Sequence, residues 1–201
     1  MSYTVKPIEK LARELSRLPG VGLRTATRLA FHLVEADNTS VDELVSSLQD
    51  VKKDVHICPT CFGYSSVEDE CDICSDGTRL KTSICVVQRP QDIFVMERGD
   101  YSGMYHVLNG VISPLDGVGP DDIRLTELFN RIKSTKVEEV IIALNPSVEG
   151  DATTLFIAKN LSGTGITVTR LARGVPAGAN IDYIDDLTLC RAIEERQAVI
   201  C

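Results

Sequence analysis

Four cysteines constrain this chain more than any other feature. Cys58-Pro-Thr-Cys61 and Cys71-Asp-Ile-Cys74 form two C-x-x-C knuckles with nine residues between them. That spacing places four thiolates where one tetrahedral Zn²⁺ can take them all. Four unrelated buried thiols, or a redox pair, would have to arise at ribbon spacing by coincidence. Four protein ligands leave no open coordination position, so the metal is expected to be structural, one Zn per chain. The surrounding stretch is rich in acids and turn residues, and so short a polar segment cannot order itself by apolar burial alone. This reading requires reduced thiols. The chain begins MSYTVKPIEK, without the apolar core of a secretory signal, and an intracellular, cytoplasmic location is expected. No apolar run approaches the roughly 20 residues that a bilayer demands.

Charge divides the chain. Its formal charge is −8 over 201 residues, yet residues 1–36 hold six bases (Lys6, Lys10, Arg13, Arg17, Arg24, Arg28) against three acids (Glu9, Glu14, Glu35). The rest of the chain is therefore strongly acidic. A uniformly basic nucleic-acid coat is excluded, while a local basic patch is not. The basic segment reads as two amphipathic helices around a tight turn. Ile8, Leu11, Ala12, Leu15 and Leu18 recur at helical spacing, Pro19-Gly20-Val21-Gly22 interrupts, and Ala26, Leu29, Ala30 and Leu33 resume. A third helix is expected to begin near Ser40, where Ser40-Val41-Asp42-Glu43 has the form of a capping box and Leu44, Leu48 and Val51 follow as an apolar stripe.

Gly20 and Gly22 allow backbone geometry and close approach that side chains would block. The amides opening the next helix can then hold a phosphate oxygen, with Arg24 and Arg28 four residues apart on one face beside them. This is the equipment of a helix-hairpin-helix that grips a DNA backbone without reading sequence. An ordinary helical turn with solvated arginines uses the same residues.

From Ser83 onward, apolar runs at 84–87, 105–108, 140–144 and 166–171 alternate with helical patterns near 90–98, 121–134 and 151–161. Such alternation implies a mostly parallel sheet covered on both faces. Ligands of open parallel sheets gather at the carboxyl ends of strands. Gln88 falls at such an end, and so does Asn145-Pro-Ser-Val-Glu149-Gly-Asp151. Glu149 and Asp151 could hold Mg²⁺, or could serve only as acids at a helix N-terminus. No P-loop, G-x-S-x-G or H-E-x-x-H pattern occurs. His32, His56 and His106 lie in unrelated contexts and read as satisfied structural histidines. Cys85 reads as core, and Cys190 and Cys201 lack a partner at ligand spacing. A Gly/Pro loop from Gly174 and a helix near 186–197 close the chain.

The chain is thus expected to be an α+β assembly of modules. These are a helix-hairpin-helix DNA-binding region (1–54), a small zinc ribbon-like finger (55–78), a Toprim-type α/β domain with a mostly parallel sheet (79–173) and a C-terminal helical segment (174–201). Taken together, the modules resemble the bacterial recombination-mediator RecR family. The resemblance extends to Arg28-Leu-Ala-Phe-His-Leu33, Tyr105-His-Val-Leu108, Gly110-Val-Ile-Ser-Pro-Leu-Asp-Gly-Val-Gly-Pro120 and Val168-Thr-Arg-Leu-Ala-Arg-Gly-Val-Pro176, and spans essentially the whole chain. It implies a role without catalysis in recombinational DNA repair: a ring-like homotetramer that acts with RecO and RecF and promotes RecA loading on gapped or single-stranded DNA. Carried over by position, Arg24 and Arg28 become the DNA contacts, and Glu149 and Asp151 the partner-binding face of the Toprim domain. Ile181-Asp-Tyr-Ile-Asp-Asp186 could match a Walker-B-like element of the family's C-terminal, oligomerisation segment. Catalytic Toprim domains of primases and topoisomerases end the first strand with Glu, whereas this sequence has Gln88. A carboxamide exchanges no proton near neutral pH. The substitution speaks against a Mg²⁺-dependent nuclease or primase and reduces any metal site to Glu149 and Asp151.

Overall fold

The structure is a computed structural model that describes residues 5–196 and 198; Cys201 and the last expected helical position, 197, lie outside the described residues. The chain divides into two compact units, Met1–Val55 and His56–Cys201.

The first unit is helical. Pro7 lies in the first turn of α1 (Lys6–Leu15), where its missing N–H costs nothing. α2 (Leu23–Glu35) and α3 (Asn38–Asp54) follow. α1 and α2 meet through Ala12, Ala26 and Ala30, all buried, with Ile8, Leu11, Leu15 and Val21 packed around them. Methyl-sized side chains at the crossing let the two backbones approach closely. α3 starts two residues earlier than the sequence pattern suggests, because Asp37 is the cap. Its carboxylate accepts from the Ser40 amide at 2.9 Å and from the Ser40 hydroxyl at 2.7 Å. A carboxylate upstream takes the capping role that Ser40 could otherwise fill. The Leu44, Leu48 and Val51 stripe is exposed.

The second unit opens with an antiparallel ribbon, β1 (His56–Ile57) on β2 (Tyr64–Ser65), and a single helical turn, α4 (Asp72–Ser75). The main sheet has four parallel strands in the order β4-β3-β5-β6: Gly103–Val107, Leu80–Val87, Glu139–Ala143 and Thr167–Arg170. These strands fall on the four apolar runs of the sequence. Parallel neighbours require crossovers, supplied by α5 (Pro90–Met96), α6 (Leu125–Ser134) and α7 (Val148–Leu161). The two-residue period of a strand sorts β3 between two cores. Ile84 and Val86 join Val140, Ile142, Leu125, Leu128, Ile132, Ile157 and Leu161 on the α6/α7 face. Cys85 and Val87 join Tyr105, Val107 and Ile93 on the α5 face. Both faces of the sheet are therefore covered, as its nearly continuous hydrophobicity requires. Burial pushes the Cys85 thiol up to about 12, consistent with an inert core residue.

The C-terminal part carries a 3₁₀ turn (Ile181–Tyr183) and α8 (Asp186–Glu194), whose N-cap is Asp185. The Asp185 carboxylate accepts from the amide and hydroxyl of Thr188. At least this acid of the Walker-B-like run has a local structural task. Arg170, at the end of β6, pairs with Glu195 just beyond α8.

Candidate nucleic-acid interface and metal centre

At the hairpin, the turn is built by backbone bonds, Leu18 N–H to the Leu15 carbonyl at 3.1 Å and Val21 N–H to the Leu18 carbonyl at 3.0 Å. Gly20 sits at φ +79°, a left-handed conformation that a side chain disfavours. Gly22 is different. Its φ of −72° suits any residue, and a Cβ there would touch nothing within 4 Å. The protein's own packing therefore leaves the space above Gly22 open. Gly22 is the N-cap of α2 and offers no side chain to the first amides of that helix. Those donors, at the positive end of the helix dipole, face outward. Arg24 and Arg28 are both exposed one turn apart on α2. Among the described residues, neither takes part in an ion pair. Amides without a side-chain cap and guanidinium groups without an ion pair among the described residues are donors of the kind that suits an anion.

The structure brings Cys58, Cys61, Cys71 and Cys74 together, with all four sulfurs within 4.8 Å of one another and all four residues buried. Cys61 Sγ and Cys71 Sγ lie 3.6 Å apart. The edge of a tetrahedron built on Zn–S bonds of about 2.3 Å is about 3.8 Å, so this pair stands close to the separation a tetrahedral zinc site has. The Gly63 amide donates to Cys61 Sγ and the Cys71 amide to Cys58 Sγ, each at 3.4 Å. Such N–H···S bonds orient thiolate ligands from outside. Crowding polarises the set. Hydrogen bonding from Cys74 and the Gly63 amide draws the Cys61 thiol down to about 5, while the same Cys61 bond, with burial, drives Cys74 far upward. Four soft, buried donors that cannot all ionise without a shared cation fit a closed metal site.

The finger is anchored to the sheet by residues that the spacing of cysteines does not reveal. The Val107 amide donates to the Cys61 carbonyl at 2.8 Å. Phe62, at φ +62°, meets His106 edge-on at 5.4 Å between centroids, and the Arg124 guanidinium lies 4.8 Å over the Phe62 ring. His106 is fully buried on β4, with Nε2 on the Arg124 carbonyl at 2.8 Å. Among the described residues its Nδ1 has no partner, so this histidine is only half satisfied. His32, by contrast, is exposed on α2.

The carboxyl edge of the sheet gathers the remaining candidates. Gln88, following β3, accepts a hydrogen bond from Asn145 Nδ2 at 3.3 Å. Ser147 caps α7, accepting from the Gly150 amide at 3.1 Å. Gly150 is obligatory, because a Cβ there would stand 2.1 Å from the Asn145 carbonyl oxygen. Glu149 projects from the first turn of α7. Its carboxyl is held below the usual range by backbone and Ser147 hydrogen bonds, with the nearby Asp116 charge opposing. The Gly110–Pro120 loop reaches α7 through the Ile112 amide, which donates to Thr153 Oγ1 at 2.8 Å. Leu115 and Val148, beside Asp116 and Glu149 in the chain, are 98% and 82% exposed, an apolar pair among acids. Asp151 is engaged differently. Both of its oxygens accept from Arg173, Oδ2 from Nη1 at 3.2 Å and Oδ1 from Nη2. The guanidinium holds the Asp151 carboxyl well below the usual carboxylate range.

Residues 8–52 match the family described as RecR, helix-hairpin-helix. Residues 82–172 match the Toprim domain, and 174–197 match RecR, C-terminal. The Recombination protein RecR of Chlorobaculum tepidum is 47% identical over 204 residues, covering 99% of this chain and all of that protein. Those of Chlorobium limicola and Chloroherpeton thalassium are each 45% identical, over 205 and 202 residues, with 98% or more of both chains covered. Similarity of this extent, through hairpin, Toprim domain and C-terminal segment alike, makes the chain a member of the RecR family of recombination proteins.

Proposed function

We propose that the protein is a recombination mediator in DNA repair, a clamp without catalytic turnover that holds gapped or single-stranded DNA by its phosphates. The observation that carries this reading is the open start of α2, where uncapped amides, an unobstructed Gly22 and the unpaired Arg24 and Arg28 share one exposed surface. Such contacts position a backbone and carry no sequence information. One hairpin on an acidic chain binds weakly. A ring-like homotetramer adds four of them through effective concentration, while the acidic remainder repels DNA from other faces. Family membership supports the role in recombination, and with it RecO and RecF as partners, RecA loading as the outcome and a cytoplasmic location. Among the described residues, no helix is long and apolar enough to cross a membrane.

Zn²⁺ is the metal that the four thiolates suit, one per chain. Bound there, it would fix the two knuckles and cross-link a segment too polar to fold alone. Glu149, next to the exposed Val148 and near enough to Asp116 to feel its charge, offers an acidic and apolar surface for a basic partner, and we assign RecO to it; Asp151 contributes to that face through its pair with Arg173. A Mg²⁺-dependent nuclease or primase gains no support, since Gln88 stands where proton transfer would need a carboxylate.

The test is fluorescence anisotropy with single-stranded and gapped DNA at low salt, without partners. Replacing Arg24 and Arg28 together by alanine is expected to abolish binding while leaving the circular dichroism and zinc content unchanged. Undiminished binding would refute the hairpin as the DNA contact. Wild-type protein that binds only when RecO is added would instead make it an adaptor.

A further inference from the structure

The Toprim fold implies a divalent cation among carboxylates at the carboxyl edge of its sheet, and the residues present here do not fit one. Gln88 supplies a carboxamide in place of a carboxylate, and its oxygen already accepts from Asn145. Asp151, in the first turn of α7, has both oxygens on the Arg173 guanidinium. The Arg173 side chain is only 16% exposed, so the pair is shielded on the arginine side. Arg170 and Arg191 add positive potential at the same carboxylate. A cation approaching Asp151 would have to displace a bidentate, charge-assisted pair and then stand beside the displaced positive charge. Glu149 and Asp116 are left, and Asp116 already accepts from the Ser113 hydroxyl at 2.6 Å; among the described residues, the four cysteines are the one group of three or more candidate ligands that converges.

We infer that the Arg173 guanidinium takes the place of the divalent cation in this domain, neutralising Asp151 permanently and making the carboxyl edge of the sheet independent of metal. The substitution has a structural use. Arg173 lies three residues past β6, and its bond to Asp151 ties the segment leaving that strand to the first turn of α7. A guanidinium supplied by the chain itself neither dissociates nor varies with Mg²⁺ concentration. It also supplies no activated water and no Lewis acid, so the edge is left with binding alone.

Mn²⁺ is the probe, followed by the electron paramagnetic resonance signal of the free ion, on full-length protein saturated with Zn²⁺. The wild-type protein is expected to bind no Mn²⁺ in a manner that Asp151→Asn removes. Gln88→Glu with Arg173→Ala restores the acid and vacates the guanidinium, and is expected to create one saturable Mn²⁺ site per chain that the added Asp151→Asn abolishes. Asp151-dependent Mn²⁺ binding by the wild-type protein would overturn the inference. So would a folded Gln88→Glu/Arg173→Ala protein that binds none, because the arginine would then not be what stands in for the ion. If that variant does not fold, the wild-type protein decides alone. A melting temperature unchanged by Mn²⁺ supports the inference, and an Mn²⁺-induced rise that Asp151→Asn abolishes refutes it.

Discussion

Lowering the pH should destabilise the second unit through one side chain, His106. Its ring is wholly buried, Nε2 is committed to the Arg124 carbonyl and Nδ1 faces no acceptor. A second proton would therefore place an unpaired donor and a charge inside the core. Burial, with Arg131 and Arg124 nearby, pushes the imidazole down to about 4, although the Arg124 carbonyl and Glu127 partly oppose the shift. The unfolded chain titrates near 6.5. Above that pH both states are neutral and the full stability is present. Between 6.5 and 4 the unfolded chain takes up a proton that the native state refuses, so stability falls as pH falls. Below 4 both states are protonated and the loss is complete, at about 3 kcal/mol in total. At pH 5 the loss relative to pH 8 is about 2 kcal/mol, equivalent to roughly 4–8 °C in Tm for a unit of this size. Glutamine at this position can still donate to the Arg124 carbonyl and cannot titrate. Urea unfolding of the wild-type and His106→Gln proteins at both pH values isolates the contribution, because thiol protonation at the zinc knuckles affects both alike. The wild-type protein should lose about 2 kcal/mol more than the variant on going to pH 5. Equal losses would refute the reasoning.

Two other perturbations have equally direct readouts. Cys71→Ser removes one of four buried ligands, and the purified variant should contain little or no zinc by metal analysis and lose the cooperative melt of its second unit, as a metal-dependent finger does. Gly150→Ala drives a Cβ to 2.1 Å from the Asn145 carbonyl oxygen. It should cost about 1–3 kcal/mol in urea unfolding, or more if α7 cannot shift its first turn.

Much of this architecture can be read from sequence because it depends on local spacing. Two knuckles nine residues apart leave little choice about where their sulfurs go. Strands buried on both faces write themselves as apolar runs, which is why the parallel sheet is visible in advance. The rest depends on encounters between distant residues. Arg173 meets Asp151 across 22 positions, and no periodicity announces which arginine will pair with which acid. Gly150 is indispensable only because the Asn145 carbonyl passes against it, a fact of tertiary packing. His106 looks like any histidine within a strand, and its bare Nδ1 appears only once Phe62 and Arg124 are in place around it. At α3 two residue types compete for one cap, and Asp37 prevails over Ser40 by accepting from it. The open space above Gly22 is the converse case. There the sequence suggests close approach, and among the described residues nothing comes within 4 Å of a Cβ placed at Gly22.

That open space makes the salt dependence of DNA binding the most direct test of the account. If the two arginines of each hairpin neutralise two phosphates on single-stranded DNA, log Kobs should fall with log[salt] at a slope of about −1.4 per engaged hairpin. Four hairpins acting together give a slope of about −5.6, a loss of about 2,000-fold in affinity between 50 and 200 mM salt, against about sevenfold for one. The wild-type protein should show the steep slope, and any residual binding by Arg24→Ala/Arg28→Ala should be nearly independent of salt. A slope that the double substitution leaves unchanged would mean that the phosphates are held elsewhere, and the hairpin would lose its role.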